Sequence, residues 1–275
     1  NVTPVSIGNV TVSVADSVAI DVAENFNSAS NSVSVLYNSG TSIYVSPSGN
    51  DFTGNGSQSS PFEHIQHAHD QAIAGASIYV MPGTYKENLN LSTKVNLIST
   101  EGIDSTILDG QNLGNVIRAS NLDTLIISGF NIINGASNGI FATDCNVLKF
   151  NNLKVQNMAN YGIRVTNYTY HISQIDIADI IVATNQTGFL FEHVDSTFIS
   201  GLTATNSSQD IVDTNNSRYI SIKNSNLSNS TRAICARSTT VFIENTNMTE
   251  NSNIIEYRPE SGQKLQLKNV NFANN

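Results

Sequence analysis

The sequence of 275 residues contains no tryptophan, two cysteines and five prolines, and charged residues make up only 13% of it. Two cysteines, Cys145 and Cys235, are too few for a disulfide framework. No run of about 18 apolar residues occurs, so the sequence predicts no membrane-spanning helix. The net charge of −9 disfavours binding to nucleic-acid phosphates. The hydrophobic share of 39% is nevertheless enough for a packed interior.

The polar surface is built from Asn, Ser and Thr rather than from charged residues. The first residue is not Met and no apolar leader follows it, which we interpret as the removal of a signal peptide or as a start inside a longer precursor. Eleven Asn-x-Ser/Thr sequons fit an exported, extracellular or cell-surface protein. Nine of them are candidate glycosylation sites: Asn1, Asn9, Asn55, Asn90, Asn167, Asn185, Asn215, Asn226 and Asn247.

An internal repeat of 21–27 residues predicts the fold. One apolar column comprises Ile127, Phe150, Ile177, Ile199, Ile222, Ile243 and Leu267. Five positions later a second column comprises Ile132, Val155, Val182, Ala204, Leu227, Met248 and Phe272. A third column, at the start of each coil, comprises Ile117, Ile140, Ile163, Phe189, Ile211, Ile234 and Ile254 or Ile255. Three short strands per coil indicate an all-β, right-handed parallel β-helix over residues 41–275.

Two columns of turn residues follow the first apolar column at two and at seven positions. They contain Asn152, Asn224, Asn245 and Asn269 in the first case, and Asn134, Asn157, Asn206 and Asn229 in the second. Coils stack about 4.8 Å apart, so we expect each side-chain amide to bond to its neighbour in a ladder. The cysteines lie four coils apart and should be free thiols. The sequons at Asn206 and Asn229 should be poor glycan acceptors.

Residues 59–74 contain the only helix that the sequence predicts. Ser60 is a suitable N-cap, Pro61 suits the first helical position and Glu63 completes a capping box, which predicts a helix over about 61–74. Such a helix would cover the open strand edges of the first coil. Residues 1–40 alternate apolar and small polar residues; they are either a tail from a preceding domain, extra strands along the solenoid, or a strand donated to a neighbouring subunit.

The segment from Ile43 to Leu91 carries a more specific pattern, Y-V-S-P-S-G-N-D…G-N-G-S…P-F-x-x-I-Q-x-A…I-Y-V-x-P-G-T-Y-x-E. It resembles the opening of pectate-lyase-like β-helix proteins and is particularly similar to adhesin-like surface proteins of microbes, including methanogenic archaea. The resemblance implies the fold. It leaves function open, because the same opening serves lyases, epimerases and non-catalytic surface proteins.

Candidate sites are few. The resemblance would imply Asn-Thr-Asp, paired Asp, Gly-His-Gly and Arg-Ile-Lys motifs in a polygalacturonase-like enzyme, and the sequence has none of them. A weak catalytic candidate is Glu192, His193 and Asp195, with Asp144 and Asp213 on nearby coils, since a His between carboxylates can be a general base. Other candidates are Asp51, in a Gly/Asn loop that could bind calcium, and the helix histidines His64, His67 and His69. Arg118, Arg164, Arg232 and Arg237 could line one sheet, but the sequence pattern shows no stacked basic stripe among them.

The sequence therefore favours a non-catalytic extracellular structural or cell-surface protein: an adhesin-like, surface-layer, sheath or filament subunit that self-associates through strand edges. Surface glycans are further candidate partners. The alternative is a polysaccharide lyase or hydrolase that acts on acidic glycans.

Overall fold

The computed structural model describes residues 8–19, 26–37, 42–168 and 174–275. A β-solenoid of about eight turns, with parallel pairing between successive coils, confirms the predicted all-β parallel β-helix. Within the described segments, no helix is long and apolar enough to cross a membrane.

Eight strands form one face of the solenoid, which we call the eight-stranded sheet. They are β6 (Leu89–Leu91), β9 (Ile117–Ser120), β12 (Ile140–Thr143), β14 (Tyr161–Thr166), β16 (Thr187–Glu192), β19 (Asp210–Asn215), β22 (Arg232–Arg237) and β24 (Asn253–Arg258).

A fifteen-stranded sheet bends around a corner and supplies the other two faces. Its strands are β3 (Ser42–Val45), β4 (Ala76–Val80), β5 (Gly83–Tyr85), β7 (Val95–Ser99), β8 (Thr106–Asp109), β10 (Thr124–Ser128), β11 (Asn131–Gly135), β13 (Val147–Met158), β15 (Gln174–Ala183), β17 (Ser196–Ser200), β18 (Thr203–Thr205), β20 (Tyr219–Lys223), β21 (Asn226–Ser228), β23 (Thr240–Thr249) and β25 (Leu265–Ala273).

The strand register joins the first two apolar columns as the repeat predicts, residue opposite residue through every coil from Ile127 to Leu267 and from Ile132 to Phe272. The third column differs at one coil. Phe189 lies opposite Val212 rather than Ile211, and Ile255 is the member that lies opposite Ile234. Ile211 and Val212 are both fully buried, so the apolar pattern could not fix the register there.

The two turn columns have left-handed backbone conformations. In all eight ladder asparagines φ lies between 47° and 62°, a region that Asn tolerates better than most residues. The Asn229 side-chain amide donates to the Asn206 side-chain oxygen at 2.5 Å, and the amides of Asn245 and Asn269 donate to the preceding ladder oxygens at 3.2 and 2.8 Å. Other rungs are mixed: Asn134 donates to Asp109, and Asn157 accepts from Thr184.

The helix is shorter than predicted, and its predicted N-cap is wrong. Helix α1 spans Ile65–Gln71, and Ser60 makes no cap because the chain is still extended at Phe62, which forms a parallel bridge with Val45 of β3. The first backbone amides instead donate to carboxylates from two other segments, Asp51 and Glu87.

Helix α1 covers a strand edge, as predicted for the start of the solenoid. β6 ends the eight-stranded sheet, and Gln66 bonds to both the amide and the carbonyl of Asn90 within it. The buried His69 accepts the next amides, from Ser92 and Thr93, through its Nε2 atom. Side chains of the helix thus take the hydrogen-bonding role of a missing strand.

The N-terminal segment contributes two strands of its own. β1 (Gly8–Val12) and β2 (Val33–Tyr37) pair antiparallel as a separate two-stranded sheet. The role of residues 1–40 stays a prediction.

Candidate functional site

Five of the six arginines in the sequence lie in strands of the eight-stranded sheet: Arg118, Arg164, Arg232, Arg237 and Arg258. The described strands of this sheet contain no lysine and four carboxylates, Glu192, Asp210, Asp213 and Glu256. Five positive and four negative charges give these strands a net charge of +1 in a chain whose net charge is −9. We call this surface the arginine face.

The first half of the arginine face holds an outward column of Arg118, Phe141 and Arg164, opposite one another on successive strands. The guanidinium of Arg164 lies 5.2 Å from the centre of the Phe141 ring and 5.6 Å from that of Tyr161. These distances are those of cation–π contacts, which hold the guanidinium in place.

Hydrogen bonding leaves Arg164 incompletely paired. Its Nη2 atom donates to Glu192 at 3.4 Å, a long contact, and its Nε atom is buried without a hydrogen-bond partner among the described residues. Arg118 is exposed and makes no ion pair within the described segments. The buried Nε of Arg164 is out of reach of a ligand, but the side chain is 29% exposed. Arg118 and Arg164, about 10 Å apart along the solenoid axis at two coil spacings, can therefore both donate to an external anion.

The second half of the face is neutralised internally. Arg232 donates from Nε and Nη2 to the two oxygens of Asp210, at 2.5 and 3.0 Å, and also pairs with Glu256. Glu256 in turn pairs with Arg258 at 2.5 Å. These bonds use the donors of Arg232 on the protein's own carboxylates, so this half offers less to a ligand than the first half does.

Arg237 bonds to Asp213 at 2.6 and 2.9 Å and to the Cys235 thiol at 3.0 Å. Burial raises the pKa of the Asp213 carboxyl, while the charge of Arg237 opposes that shift. Burial also raises the pKa of Cys235 to about 11, so its thiol is protonated at neutral pH. Cys145 and Cys235 are both free and buried.

The predicted group of Glu192, His193 and Asp195 lies at the end of β16 and in the connection to β17, and its catalytic role stays a prediction. Glu192 ends β16 and faces Arg164, and Asp213 lies opposite Leu190 and faces Arg237. His193 is the left-handed residue of the turn after β16, with φ of 57°. Asp195 follows it in the loop before β17.

Asp51 does not present a free carboxylate to a cation. Its Oδ1 accepts the amides of Glu63 and His64 at 2.8 and 3.2 Å, and its Oδ2 lies 2.6 Å from Nδ1 of His64. No group of three His, Cys, Asp or Glu side chains in the described part of the chain could hold a metal ion. Calcium at the loop and a metal at the helix histidines stay predictions.

We expect the Asp51–His64 pair to stabilise the fold most between about pH 4 and pH 6.5. Burial raises the pKa of Asp51, but its bonds with His64 and Glu63 outweigh burial and lower it overall, so its contribution is lost as the pH falls through that lowered value. The bond to Asp51, aided by Glu87 and Glu63, raises the pKa of His64, so its contribution is lost as the pH rises through that value. Asp51→Asn should therefore cost more at about pH 5.5 than at about pH 9 in urea unfolding.

The matched control for this prediction is Asp104→Asn, which changes an exposed carboxylate and should have a small effect at both pH values. An equal loss of stability at both pH values in the Asp51→Asn protein would contradict the coupling between Asp51 and His64.

The candidate glycosylation sites differ in how exposed their asparagine side chains are. Asn167 and Asn185 are only 4% and 3% exposed, and the Asn185 side chain bonds to the backbone of Val155 and Met158. We correct the prediction at these two sites, because a glycan on a buried amide would disrupt the coil. Three other candidates are exposed: Asn90, Asn226 and Asn247. Asn55 and Asn215 are half-buried. Asn9 lies in β1, and Asn1 lies outside the described residues.

Arg118, Arg164, Arg232 and Arg237 do line one sheet, but the sequence pattern did not identify them as a binding site. Arg118 and Arg164 are 46 positions apart, two coils, with the aromatic Phe141 midway, so they form no simple stripe. The detectable signal was the distribution: five of the six arginines lie in strands of one sheet, and all seven lysines lie outside it.

No sequence-family model matches the chain. Over 78 residues it is 40% identical to pectate lyase PEL9 of Emericella nidulans, an alignment that covers 26% of this chain and 19% of that protein. Over 96 residues it is 30% identical to the uncharacterized protein YwoF of Bacillus subtilis, covering 35% of this chain and 17% of that protein. The aligned parts thus span less than a fifth of the length of either relative.

Among solved structures the chain is similar to a rhamnogalacturonan lyase, with a TM-score of 0.61 and 16% identity over 77% of this chain and 69% of that one. It is also similar to pectate lyase Pel9A, with a TM-score of 0.59 and 13% identity over 86% and 80%. Pectin methylesterase PemA from Erwinia chrysanthemi has a TM-score of 0.53 and 12% identity over 84% and 89%. At these identities the likeness shows a shared parallel β-helix fold.

Proposed function

We propose that the protein is an extracellular β-helix that binds acidic polysaccharides on the first half of the arginine face. The observation that carries the proposal is the partly exposed guanidinium of Arg164, which contacts two aromatic rings, makes only a long ion pair among the described residues and lies two coils from the exposed Arg118. A planar guanidinium matches the geometry of a carboxylate, and uronic acids carry one carboxylate per sugar.

The aromatic rings add a second kind of contact. Phe141 and Tyr161 are partly exposed beside Arg164, and the apolar face of a sugar ring can pack on such rings. A surface that combines fixed cations with aromatic rings favours a charged sugar over either a neutral sugar or a simple anion.

The similar solved structures are two lyases and a pectin methylesterase, which supports the glycan-processing alternative over the structural role that the sequence favoured. We further propose that the protein cleaves the acidic polysaccharide that it binds. A guanidinium on a uronate carboxylate withdraws charge from the adjacent carbon and so favours proton abstraction there. Lyase activity on polyuronates is therefore the reaction to assay first.

We expect Arg164→Ala to weaken the binding of oligogalacturonate at least about tenfold in calorimetric titration, because a hydrogen bond to a charged group contributes about 1.5–3 kcal/mol. Arg118→Ala should weaken it as well, and added salt should weaken binding to the wild type. Release of unsaturated ends, followed by ultraviolet absorbance, measures cleavage in the same samples.

The matched control variant is Arg218→Ala, since Arg218 is exposed and lies between β19 and β20, outside the arginine face. The matched ligand is a fully methyl-esterified oligomer, which has the same sugar rings without charge. Equal affinity for the charged and esterified ligands, or equal loss in Arg164→Ala and Arg218→Ala, would contradict the proposal.

Self-association through strand edges stays a prediction, and mass photometry over a range of protein concentrations tests it. Dimers or larger species would support it, and a monomer at all concentrations would contradict it.

A further inference from the structure

A second polar site lies at the start of the solenoid, where Asp51, His64 and Glu87 meet the beginning of α1. A cleft of about 250 Å³ opens there, lined among others by Pro47, Glu63, His64, Thr84, Lys86 and Glu87. The arginine face contributes no residue to this cleft.

The geometry makes His64 an oriented base. Its Nδ1 lies 2.6 Å from Oδ2 of Asp51, so in the neutral ring Nδ1 donates and Nε2 is left with a free lone pair. The Asp51 carboxylate is itself fixed, because its Oδ1 accepts two backbone amides. The His64 side chain is 52% exposed and that of Asp51 17%, so the base can be reached while its partner is shielded.

The charges around His64 increase its basicity. The bond to Asp51, followed by the charges of Glu87 and Glu63, raises the pKa of His64. Glu87 belongs to the β5–β6 connection; burial raises its pKa, although it accepts the amides of Ile65 and Gln66 at 2.9 Å. Lys86 is the cation of the cleft lining.

We propose that the Asp51–His64 pair is a general-base site for the hydrolysis of small acyl esters on sugars. His64 Nε2 takes a proton from a water molecule as the water oxygen bonds to the ester carbonyl carbon. The carbon–oxygen bond to the sugar then breaks, and the proton on Nε2 passes to the leaving sugar oxygen. The products are a free carboxylic acid and a sugar hydroxyl, with no other reactant required.

The shape and charge of the cleft set the substrate class. A volume of about 250 Å³ holds an acetyl or similar short acyl group with part of one sugar ring, but no long acyl chain. Glu63 and Glu87 disfavour an anionic acyl group, whereas the Lys86 ammonium can stabilise the oxyanion that forms on the carbonyl oxygen.

The test is hydrolysis of p-nitrophenyl acetate and of acetylated xylan by the full chain, compared among wild type, His64→Gln, Asp51→Asn and His67→Gln. We expect His64→Gln to lower kcat/KM at least about 100-fold, the range of general-base catalysis, and His67→Gln to match the wild type. Asp51 is a positioning residue. Its loss should lower kcat and shift the rising limb of the pH–rate profile to lower pH, because Asp51 raises the pKa of His64.

The His67→Gln control separates a site from the unspecific reactivity of any exposed imidazole. Circular dichroism and urea unfolding establish that each variant is folded. A folded His64→Gln protein that hydrolyses both substrates as fast as the wild type overturns the proposal, and so does an unchanged pH profile in Asp51→Asn.

Discussion

Replacing Phe189 by alanine should lower the free energy of unfolding by about 3–5 kcal/mol, the cost of truncating a fully buried phenylalanine. Phe189 is 0% exposed, lies in register between Ile163 and Val212, and stacks on Phe191 at 5.7 Å between ring centres. The neighbouring backbones are fixed by strand pairing on both sides, so they cannot collapse into the space that the ring leaves.

Urea unfolding measures the loss, and hydrogen exchange locates it. Each coil contacts only its neighbours, so the amides of β14, β16 and β19 should lose protection more than those at the solenoid ends. Phe198→Ala is the matched control, because Phe198 is 41% exposed on β17 and its truncation should cost below about 1 kcal/mol. Equal costs for the two alanines would show that the inward column does not carry the stability assigned to it.

Replacing Arg232 by methionine should cost about 3–5 kcal/mol at neutral pH, because it leaves a buried carboxylate without its partner. The Asp210 side chain is only 4% exposed, and both of its oxygens accept hydrogen bonds from Arg232. Methionine keeps most of the apolar stem of arginine, so the loss reports on the charge rather than on packing.

A double-mutant cycle makes this prediction specific. Adding Asp210→Asn to the Arg232→Met protein should recover part of the lost stability, since the uncompensated charge is then removed. Arg258→Met is the matched control, because Arg258 is 71% exposed and its pairing with Glu256 should contribute below about 1 kcal/mol. An additive cycle, or an Arg232→Met protein as stable as Arg258→Met, would contradict the assigned role of the pair.

The features that repeat once per coil could be predicted from the sequence. The inward columns and left-handed turns could be predicted because each coil has to bury the same faces and turn the same corners, whatever its other residues. The exception at Ile211 arises where two adjacent apolar residues are both buried, so that alternation carries no information.

Contacts between coils could not be predicted in the same way. Glu87 caps a helix that begins 22 positions earlier, and Arg164 meets Phe141 and Glu192 on the coils before and after it. Which side chains meet across coils depends on the length of every turn between them, and no local pattern records that length. A capping box is recognised from neighbouring residues alone, which is why it was predicted at Ser60. The structure does not form it, because contacts from other coils decide where the helix begins.

Because Arg118 and Arg164 lie on alternate strands, the solenoid sets the spacing of the carboxylates that both can bind on one polymer. Because the β-sheet fixes the rise of each coil, the separation of the two guanidinium groups cannot adapt to the ligand. A chain with charges in contiguous blocks can engage both cations at once, and a chain with the same number of charges scattered at random rarely can. The face should thus read the pattern of charge along a glycan, and not only its amount.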